Sequence, residues 1–356
     1  RVLPLLLSFG LIFNCTGCST VLVLAGKARE NSEASSSVIS ESSASSGVIS
    51  TPVPTEDGDL RAFYTDVANA ESVTVMVYMI GSDLESEDGS ATDDLLEMAD
   101  AALSENVHLV LQTGGTETWW NDVCTDDESE RFVIENGDMT LLQSLGSMNM
   151  TDADTLSDFI RFSAESYPAD RYELILWDHG GGTMTGFGYD ELYEDTSLTL
   201  SSLSTALYNG GVQFDFIGFD ACLMATAEVA YALDPYADYL IASEESEPGE
   251  GWAYKNWLTM LAEDPAVPTA ELGKKLADAF LEAYIFADMP TLSVLDLRYV
   301  PELYAALESY WESAYTALQS GSYGAFSQVR NNVREFGDNE YDQVDLSDLA
   351  TLTKQS

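Results

Sequence analysis

Two apolar runs, Tyr172-Glu-Leu-Ile-Leu-Trp177 and Val212-Gln-Phe-Asp-Phe-Ile-Gly-Phe219, lie on either side of a helical pattern over Leu198–Tyr208. Short apolar runs that alternate with helical patterns are typical of parallel strands joined by crossover helices. A right-handed crossover brings the carboxyl ends of both strands to the same edge of the sheet. These runs therefore predict an α/β fold with a mostly parallel central sheet.

The same alternation extends along the chain in both directions. Further strands are predicted over Val73–Ile80 and Val107–Gln112, and further helices over Ala91–Leu103, Thr155–Ser166 and Leu223–Leu233. A hairpin is predicted over Arg131–Glu135 and Thr140–Leu145, because the Asn-Gly pair between them suits a type I′ turn.

The composition limits the classes of partner. The chain has 356 residues, with 14 Lys and Arg against 61 Asp and Glu, which gives a formal charge of −47. A field this negative opposes binding to phosphate backbones and to anionic membrane surfaces, so nucleic-acid binding is excluded. The hydrophobic content of 46% is ample for a core, and the length predicts one large domain with extensions.

Residues 1–26 have the composition of an export signal. They carry no charge after Arg1, Val2–Phe13 is strongly apolar, and Asn14-Cys-Thr-Gly-Cys18 resembles a bacterial lipobox. We expect Cys18 to carry the lipid, which predicts a membrane-anchored lipoprotein at the bacterial cell surface. The alternative is an uncleaved anchor, since about 20 apolar residues span a bilayer. Both interpretations predict export.

Residues 27–70 predict a flexible linker. Ser32–Ser50 is more than half serine and cannot bury enough apolar area to fold. We therefore expect a stalk between the anchor and a domain over residues 71–356. The sequence has no initiator Met, and its end at Gln343–Ala350 has the pattern of the middle of an element. We expect a piece of a longer chain, truncated at the carboxyl end.

Two polar loops follow the two apolar runs: Asp178-His-Gly-Gly-Gly182 and Asp220-Ala-Cys-Leu223. Ligands and catalytic groups lie beyond the carboxyl ends of strands in parallel sheets, so we expect the two loops to face each other across a cleft. We expect Cys222 to begin a helix, where the dipole lowers the pKa of its thiol and makes it a nucleophile. The imidazole of His179 can protonate a departing amine, and the glycines leave peptide N–H groups free to donate.

The cysteines and histidines have other interpretations. An isolated cysteine is more often a small buried hydrophobe, which is the alternative for Cys222. Cys124 has no buried strand before it, and His108 lies inside a predicted strand, which favours a structural role. The four cysteines show no zinc-binding spacing, so no metal site is predicted. A serine esterase is excluded, because there is no Gly-x-Ser-x-Gly elbow and no histidine after His179.

The two loop motifs together identify a family. Leu176-Trp-Asp-His-Gly-Gly-Gly182 and Phe219-Asp-Ala-Cys-Leu-Met224, in this order, resemble clostripain-like cysteine peptidases (peptidase family C11), relatives of the caspases, gingipains and legumains. Supporting segments are Val73–Met79, Gly251–Tyr254 and Gln343–Leu346, so the resemblance covers most of the chain after the linker. It implies a caspase-like three-layer α/β sandwich.

The resemblance also implies roles for individual residues. Cys222 would be the nucleophile and His179 its partner in a dyad, with the backbone N–H groups of Gly180 and Cys222 as the oxyanion hole. Asp220 would line the first specificity pocket and select Arg or Lys through paired charge-assisted hydrogen bonds; the alternative is a loop cap. Trp252 resembles an aromatic wall of that pocket, and a core tryptophan is the alternative.

The charge distribution agrees with a basic substrate. Residues 172–254 contain fifteen Asp and Glu and no Lys or Arg, so the cleft attracts cations. Some members of the family mature by cutting after a basic residue between the two motifs. This sequence has no such residue, and we therefore expect no cleavage between Gly180 and Ala221.

Calcium is the one ion that the resemblance adds. Some members of the family require it, and Asp83–Gly89 resembles a calcium loop whose glycine stands one position late for an EF-hand. A solvated acidic loop is the alternative. The chemistry of a cysteine nucleophile itself requires no cofactor.

These expectations describe an exported, lipid-anchored cysteine endopeptidase that cuts protein or peptide substrates after Arg or Lys. The competing class is a surface-displayed binding module that has a peptidase fold and no turnover.

Overall fold

The computed structural model describes residues 60–193, 196–284, 290–337 and 342–355, and before residue 60 only the backbone of two short strands. The strands are β1 Ser8–Gly10, β2 Val21–Leu22, β3 Val73–Ile80, β4 Val107–Gly114, β5 Ser129–Glu135, β6 Asp138–Gly146, β7 Arg171–Trp177, β8 Phe214–Asp220, β9 Ala237–Ala242, β10 Ser293–Asp296, β11 Glu335–Phe336 and β12 Gln343–Asp345. The helices are α1 Ser82–Ser86, α2 Ser90–Ala99, α3 Ala153–Ser166, α4 Gly182–Thr185, α5 Leu200–Gly210, α6 Ala227–Leu233, α7 Tyr254–Glu263, α8 Thr269–Ala283, α9 Val300–Gln319, α10 Tyr323–Arg330 and α11 Leu346–Gln355. Cys18, the rest of the predicted lipobox and most of the predicted linker lie outside the described residues.

The central sheet has the strand order β2-β10-β9-β8-β7-β3-β4-β5-β6. The five strands from β9 to β4 run parallel to one another. β10 is antiparallel to β9, and β5 and β6 form an antiparallel hairpin at the opposite edge. The hairpin turns at Asn136 (φ 53°) and Gly137 (φ 85°), the two positive φ values that a type I′ turn needs. The predicted mostly parallel sheet and the predicted hairpin are confirmed.

The sheet is covered by helices on both faces. Side chains of β3 point alternately to the two faces, as the period of a strand requires. Val75 and Val77 pack on the face that α2, α7 and α8 cover, whereas Met76 and Tyr78 pack on the face that α3, α5 and α6 cover. All eight residues of β3 are buried, which explains why the strand appears in the sequence as an unbroken apolar run. The protein is thus a three-layer α/β sandwich.

The carboxyl-terminal segment adds a smaller cluster beside the main sheet. Its core comes from α10, β12 and α11 and the loop between α10 and β11, and consists of Val329, Val333, Val344, Leu346 and Leu349. β12 pairs with β11 and with the short strand β1. This segment positions two side chains next to the candidate site, Gln343 of β12 and Phe336 of β11, which packs against Leu223.

The last residues of the predicted linker touch the domain. Arg61 donates hydrogen bonds to Asp234 at 3.1 Å and to Asp238 at 2.7 Å, and Asp238 also accepts the N–H groups of Tyr64 and Thr65. Among the described residues, no helix is both long enough and apolar enough to cross a bilayer.

Candidate active site

The carboxyl ends of the neighbouring strands β7 and β8 form the candidate site. Trp177 is paired with Asp220 in the sheet, and the N–H of Asp178 donates to the carbonyl of Asp220 at 3.3 Å. His179 and Cys222 each follow two residues after this pair. The two loops that were predicted to face each other therefore lie side by side.

Gly180 is a point of close approach between the two loops. A Cβ atom on Gly180 would lie 2.1 Å from the carbonyl oxygen of Cys222 and 3.2 Å from the Cβ of Ala221, so only glycine fits. Within the described residues, no backbone hydrogen bond uses the N–H of Gly180 or the N–H of Cys222. Neither N–H group thus has a backbone partner there, and the N–H of Cys222 lies close to its own thiol.

Cys222 does not begin a helix, and that prediction is wrong. β8 ends at Asp220 and α6 begins only at Ala227, where the Thr226 side chain accepts the N–H of Val229. Leu223 has a φ of 66°, a left-handed conformation that a leucine rarely adopts. This conformation turns the chain away from a helix that would start at Cys222.

The thiol of Cys222 lies in a half-buried position. Its Sγ accepts a hydrogen bond from the N–H of Glu247 at 3.2 Å. Burial raises the pKa of the thiol, and this effect exceeds the lowering by the Glu247 N–H. The expected lowering of the pKa by a helix dipole is thus also wrong, and forming the thiolate requires a group that accepts the proton.

Gln343 links the carboxyl-terminal segment to both loops. Its Nε2 donates to the carbonyl of Leu223 at 3.4 Å. A Cβ on Gly182 would lie 2.0 Å from the same nitrogen, so the glycine loop closes against this amide. The segment Gln343–Leu346, which carried part of the family resemblance, is therefore next to the candidate site.

His179 is held by a carboxylate that the sequence analysis did not assign to the site. Its Nε2 lies 2.7 Å from Oδ1 of Asp83, the second residue of α1. The two side chains are 42% and 44% exposed, so the pair lies at the open side of the cleft. A sequence signal for Asp83 exists: it follows the strand β3, and β3 is the neighbour of β7 on the side away from β8.

Asp178 forms a second link between the His179 loop and the start of α1. One of its oxygens accepts the hydroxyl of Ser82 at 2.7 Å, and the other accepts the N–H of Tyr189. Burial raises the pKa of this carboxyl to about 7, although the neighbouring His179 lowers it. Ser82 itself has a left-handed φ of 49°.

Asp220 is buried beneath the segment that precedes α7. Its Oδ2 accepts the N–H of Trp252 at 3.1 Å and the hydroxyl of Tyr254 at 2.8 Å. A Cβ on Gly251 would lie 3.0 Å from both carboxylate oxygens of Asp220 and 3.0 Å from Oδ2 of Asp94. The carboxylate thus binds the loop backbone as a cap would, and Gly251 packs closely against both acids.

Two more acids with buried carboxyl groups, Asp94 and Glu247, accompany Asp220, and no sequence pattern predicted either of them. Asp94 of α2 accepts the indole N–H of Trp177 at 2.6 Å, and Glu247 is the residue whose N–H binds Cys222. Burial raises the pKa of Asp220 to about 6 and those of Asp94 and Glu247 well above the usual range. The charge of Asp220 raises the pKa values of Asp94 and Glu247 further, whereas the hydrogen bond with Glu247 lowers that of Asp220. The three acids of this cluster are therefore protonated more readily than exposed carboxyl groups.

Trp252 lies in the core at 1% exposure. Its ring packs on β8, because a Cβ on Gly218 would lie 2.7 Å from a ring carbon. The N–H that it donates to Asp220 is its backbone N–H, not the indole N–H. Its backbone therefore contacts the acid, while its ring packs against the sheet.

Cys124 and His108 lie away from these loops. Cys124 is buried, and burial raises its pKa to about 12. His108 packs against Tyr167 with ring centroids 5.4 Å apart, near the amino end of β4. In the acidic segment after β3, the buried Glu85 accepts the N–H groups of Thr92 and Trp120. In the described part of the chain, no group of three or more His, Cys, Asp or Glu side chains is arranged to hold a metal ion.

Comparisons with known proteins agree with this fold and these motifs. The model of the clostripain family (peptidase family C11) matches residues 77–356. Clostripain from Hathewaya histolytica is 35% identical over 123 residues, which cover 30% of this chain and 23% of that relative. The chain thus spans less than a quarter of the length of this curated relative.

Two solved structures share the fold. A secreted C11 cysteine protease from Bacteroides thetaiotaomicron, in complex with an irreversible peptide inhibitor, aligns with a TM-score of 0.55 and 23% identity over 66% of this chain and 68% of that chain. An inactive zymogen C11 protease from Parabacteroides distasonis aligns with a TM-score of 0.56 and 24% identity over 78% and 76% of the two chains. These likenesses confirm the predicted caspase-like sandwich.

Proposed function

Because the chain belongs to the clostripain family of peptidases, we propose that it is a cysteine endopeptidase that cuts protein and peptide substrates after Arg or Lys. The observation that carries this proposal is the contact between the two loops. The carbonyl of Cys222 lies against Gly180, the residue after His179, with room for no side chain between them. A thiol and an imidazole on two such loops are the parts that acyl transfer needs.

Cys222 acts as the nucleophile. Burial raises the pKa of its thiol, so the proton must pass to His179 as the sulfur attacks the carbonyl carbon of the scissile bond. The imidazolium then gives this proton to the departing amine, and a thioester remains on Cys222. Water hydrolyses the thioester while His179 takes and returns a proton, which regenerates the thiol and releases the new carboxyl end.

The N–H groups of Gly180 and Cys222 stabilise the oxyanion that forms during the attack. Neither group is used in a backbone hydrogen bond among the described residues. Donors that are fixed before the reaction cost no reorganisation when charge develops, which makes them effective in a buried site.

Asp220 selects the basic side chain before the cleaved bond. A carboxylate in a buried cluster of three acids attracts a guanidinium or an ammonium group more strongly than it would in water. Asp220 is only 5% exposed, so the segment that covers it, Glu247–Trp252, must move when a substrate side chain enters. The positive charge of the substrate side chain then stabilises the ionised form of Asp220.

The protein is exported and carries a lipid on Cys18. This part of the proposal rests on the lipobox-like sequence, and it is supported by the structural relative from Bacteroides thetaiotaomicron, which is a secreted protease. Feeding an alkynyl fatty acid to a bacterial host should label the full chain and the Cys15→Ser variant, but not Cys18→Ser. Equal labelling of the two variants would contradict this assignment.

A panel of fluorogenic peptides tests the proposed activity. The peptides end in Arg, Lys, Asp or Leu, and each is assayed with the full chain, Cys222→Ala and the matched control Cys124→Ala, with calcium or with a chelator. We expect cleavage after Arg or Lys that is lost in Cys222→Ala and kept in Cys124→Ala. Absence of cleavage by the folded full chain in every condition would favour the binding module instead.

A further inference from the structure

We propose that Asp83 is a positioning residue that orients His179, holding its Nε2 so that Nδ1 is the nitrogen that meets Cys222 and the departing amine. This inference rests on the proposed function and adds a third residue to the dyad. It starts from one contact, the distance of 2.7 Å between Oδ1 of Asp83 and Nε2 of His179.

The backbone around Asp83 is fixed to the sheet. The N–H of Gly81 donates to the carbonyl of Gly114 at 2.8 Å, and the N–H of Ser82 donates to the carbonyl of Gly115 at 3.1 Å. The first turn of α1 is therefore tied to the end of β4. A carboxylate on such a turn is held in place before any substrate arrives.

The same two loops are joined by a second, adjacent hydrogen bond. Ser82 donates to Asp178 at 2.7 Å, next to the pair of Asp83 and His179. Ser82 adopts its left-handed φ of 49° at this junction. Non-glycine residues persist in such conformations mainly where the surroundings impose them, often at functional sites. Two successive residues of one loop thus bind two successive residues of the other.

The contact decides which nitrogen of the imidazole carries the proton. When Nε2–H donates to a carboxylate, the lone pair of neutral imidazole lies on Nδ1, which can then accept the proton of a thiol. The other groups beside His179 are the carboxyl of Asp178 and the ring of Tyr189, whose centroid lies 6.5 Å from that of the imidazole. Asp83 is the group that contacts Nε2 directly, and its negative charge stabilises the imidazolium.

The test compares Asp83→Asn with the matched control Asp88→Asn in the full chain. Asp88 is an exposed acid of the same segment. The first readout is kcat and KM on a peptide that ends in Arg. The second is the rate at which neutral iodoacetamide alkylates Cys222, measured by mass spectrometry of its peptide at pH 7 and at pH 10. Alkylation follows the thiolate and needs no peptide cleavage.

For Asp83→Asn we expect kcat to fall about tenfold with KM within about twofold, because the charge acts on proton transfer and not on substrate binding. We expect the ratio of the alkylation rates at pH 7 and pH 10 to fall about fivefold, because the imidazolium that stabilises the thiolate is weakened. Asp88→Asn should leave both readouts unchanged, and Asp83→Glu, which keeps the charge, should restore part of the ratio.

An alkylation ratio for Asp83→Asn that equals those of the wild type and Asp88→Asn would overturn the inference. If Asp83→Asn does not fold, Asp83→Ala is measured in its place, because a fall in the alkylation ratio of Asp83→Ala supports the inference and a wild-type ratio refutes it. If the wild type cleaves no peptide, the proposed function fails. The alkylation ratio then still tests the contact between Asp83 and His179.

Discussion

Replacement of Gly180 by alanine should disable the site while the domain stays folded. The added Cβ would lie 2.1 Å from the carbonyl oxygen of Cys222 and 3.1 Å from Cγ of Met224. Ordinary contact begins at 3.4 Å, so the two loops must separate by roughly 1 Å to remove the overlap. That displacement changes the distance between the imidazole and the thiol.

The size of the effect follows from this displacement. A shift of about 1 Å between reacting groups costs about 100-fold in rate, which corresponds to about 2.7 kcal/mol in the transition state. Overpacking a tight contact costs about 1–3 kcal/mol of unfolding free energy. We therefore expect kcat/KM to fall about 100-fold, with a loss of stability that a domain of this size tolerates.

The assay measures kcat/KM on a peptide that ends in Arg and the free energy of unfolding in urea. Gly324→Ala is the matched control, because nothing lies within 4 Å of the added Cβ and the position is in the helix α10. This control should keep full activity and gain up to about 1 kcal/mol of stability. A Gly180→Ala variant with full activity and full stability would refute the close contact between the loops.

Three further predictions follow from the same structure. Asp220→Asn should lower kcat/KM roughly 100-fold for peptides that end in Arg or Lys, because the charged half of a buried pair is lost, and should leave alkylation of Cys222 in place; equal activity toward all peptides in the wild type would contradict the acidic pocket. The active protein should keep the segment between Gly180 and Ala221 intact, and a new amino terminus inside that segment, found by mass spectrometry, would refute this. Burial raises the pKa of Glu244 to about 7, so its protonated form stabilises the fold below the unfolded pKa and this contribution is lost as the pH rises through about 7. The free energy of unfolding in urea should fall between pH 5 and pH 8 by up to about 3 kcal/mol less in Glu244→Gln than in the wild type. An identical fall in both proteins would count against the buried carboxyl.

The strands could be predicted from the sequence because the central ones are buried by apolar contacts on both faces. β3 was expected over Val73–Ile80 and has these bounds, since a parallel strand that is buried on both faces appears as an unbroken apolar run. The position of the two loops followed from the rule that parallel strands end at one edge. The rule applies directly to β7 and β8, because these consecutive parallel strands are also neighbours in the sheet.

The parts that were missed depend on contacts between distant segments. Asp83 reaches His179 because β3 inserts next to β7, although three helices, the strand β4 and a hairpin separate the two strands in the sequence. Asp94 and Glu247 reach Asp220 from α2 and from the loop after β9, and their pKa values follow from burial that no local pattern reveals. Only the late start of α6 had a local signal, the N-cap at Thr226.

Affinity labelling with peptidyl chloromethyl ketones tests the central claim most directly. The full chain is treated with reagents that differ only in a terminal Arg, Lys, Asp or Leu, and the alkylated residue is identified by mass spectrometry. The account predicts rapid labelling by the Arg and Lys reagents on Cys222, slow labelling by the others, and loss of the preference in Asp220→Asn. Labelling of Cys124 in place of Cys222, or equal rates for Arg and Leu reagents, would contradict it.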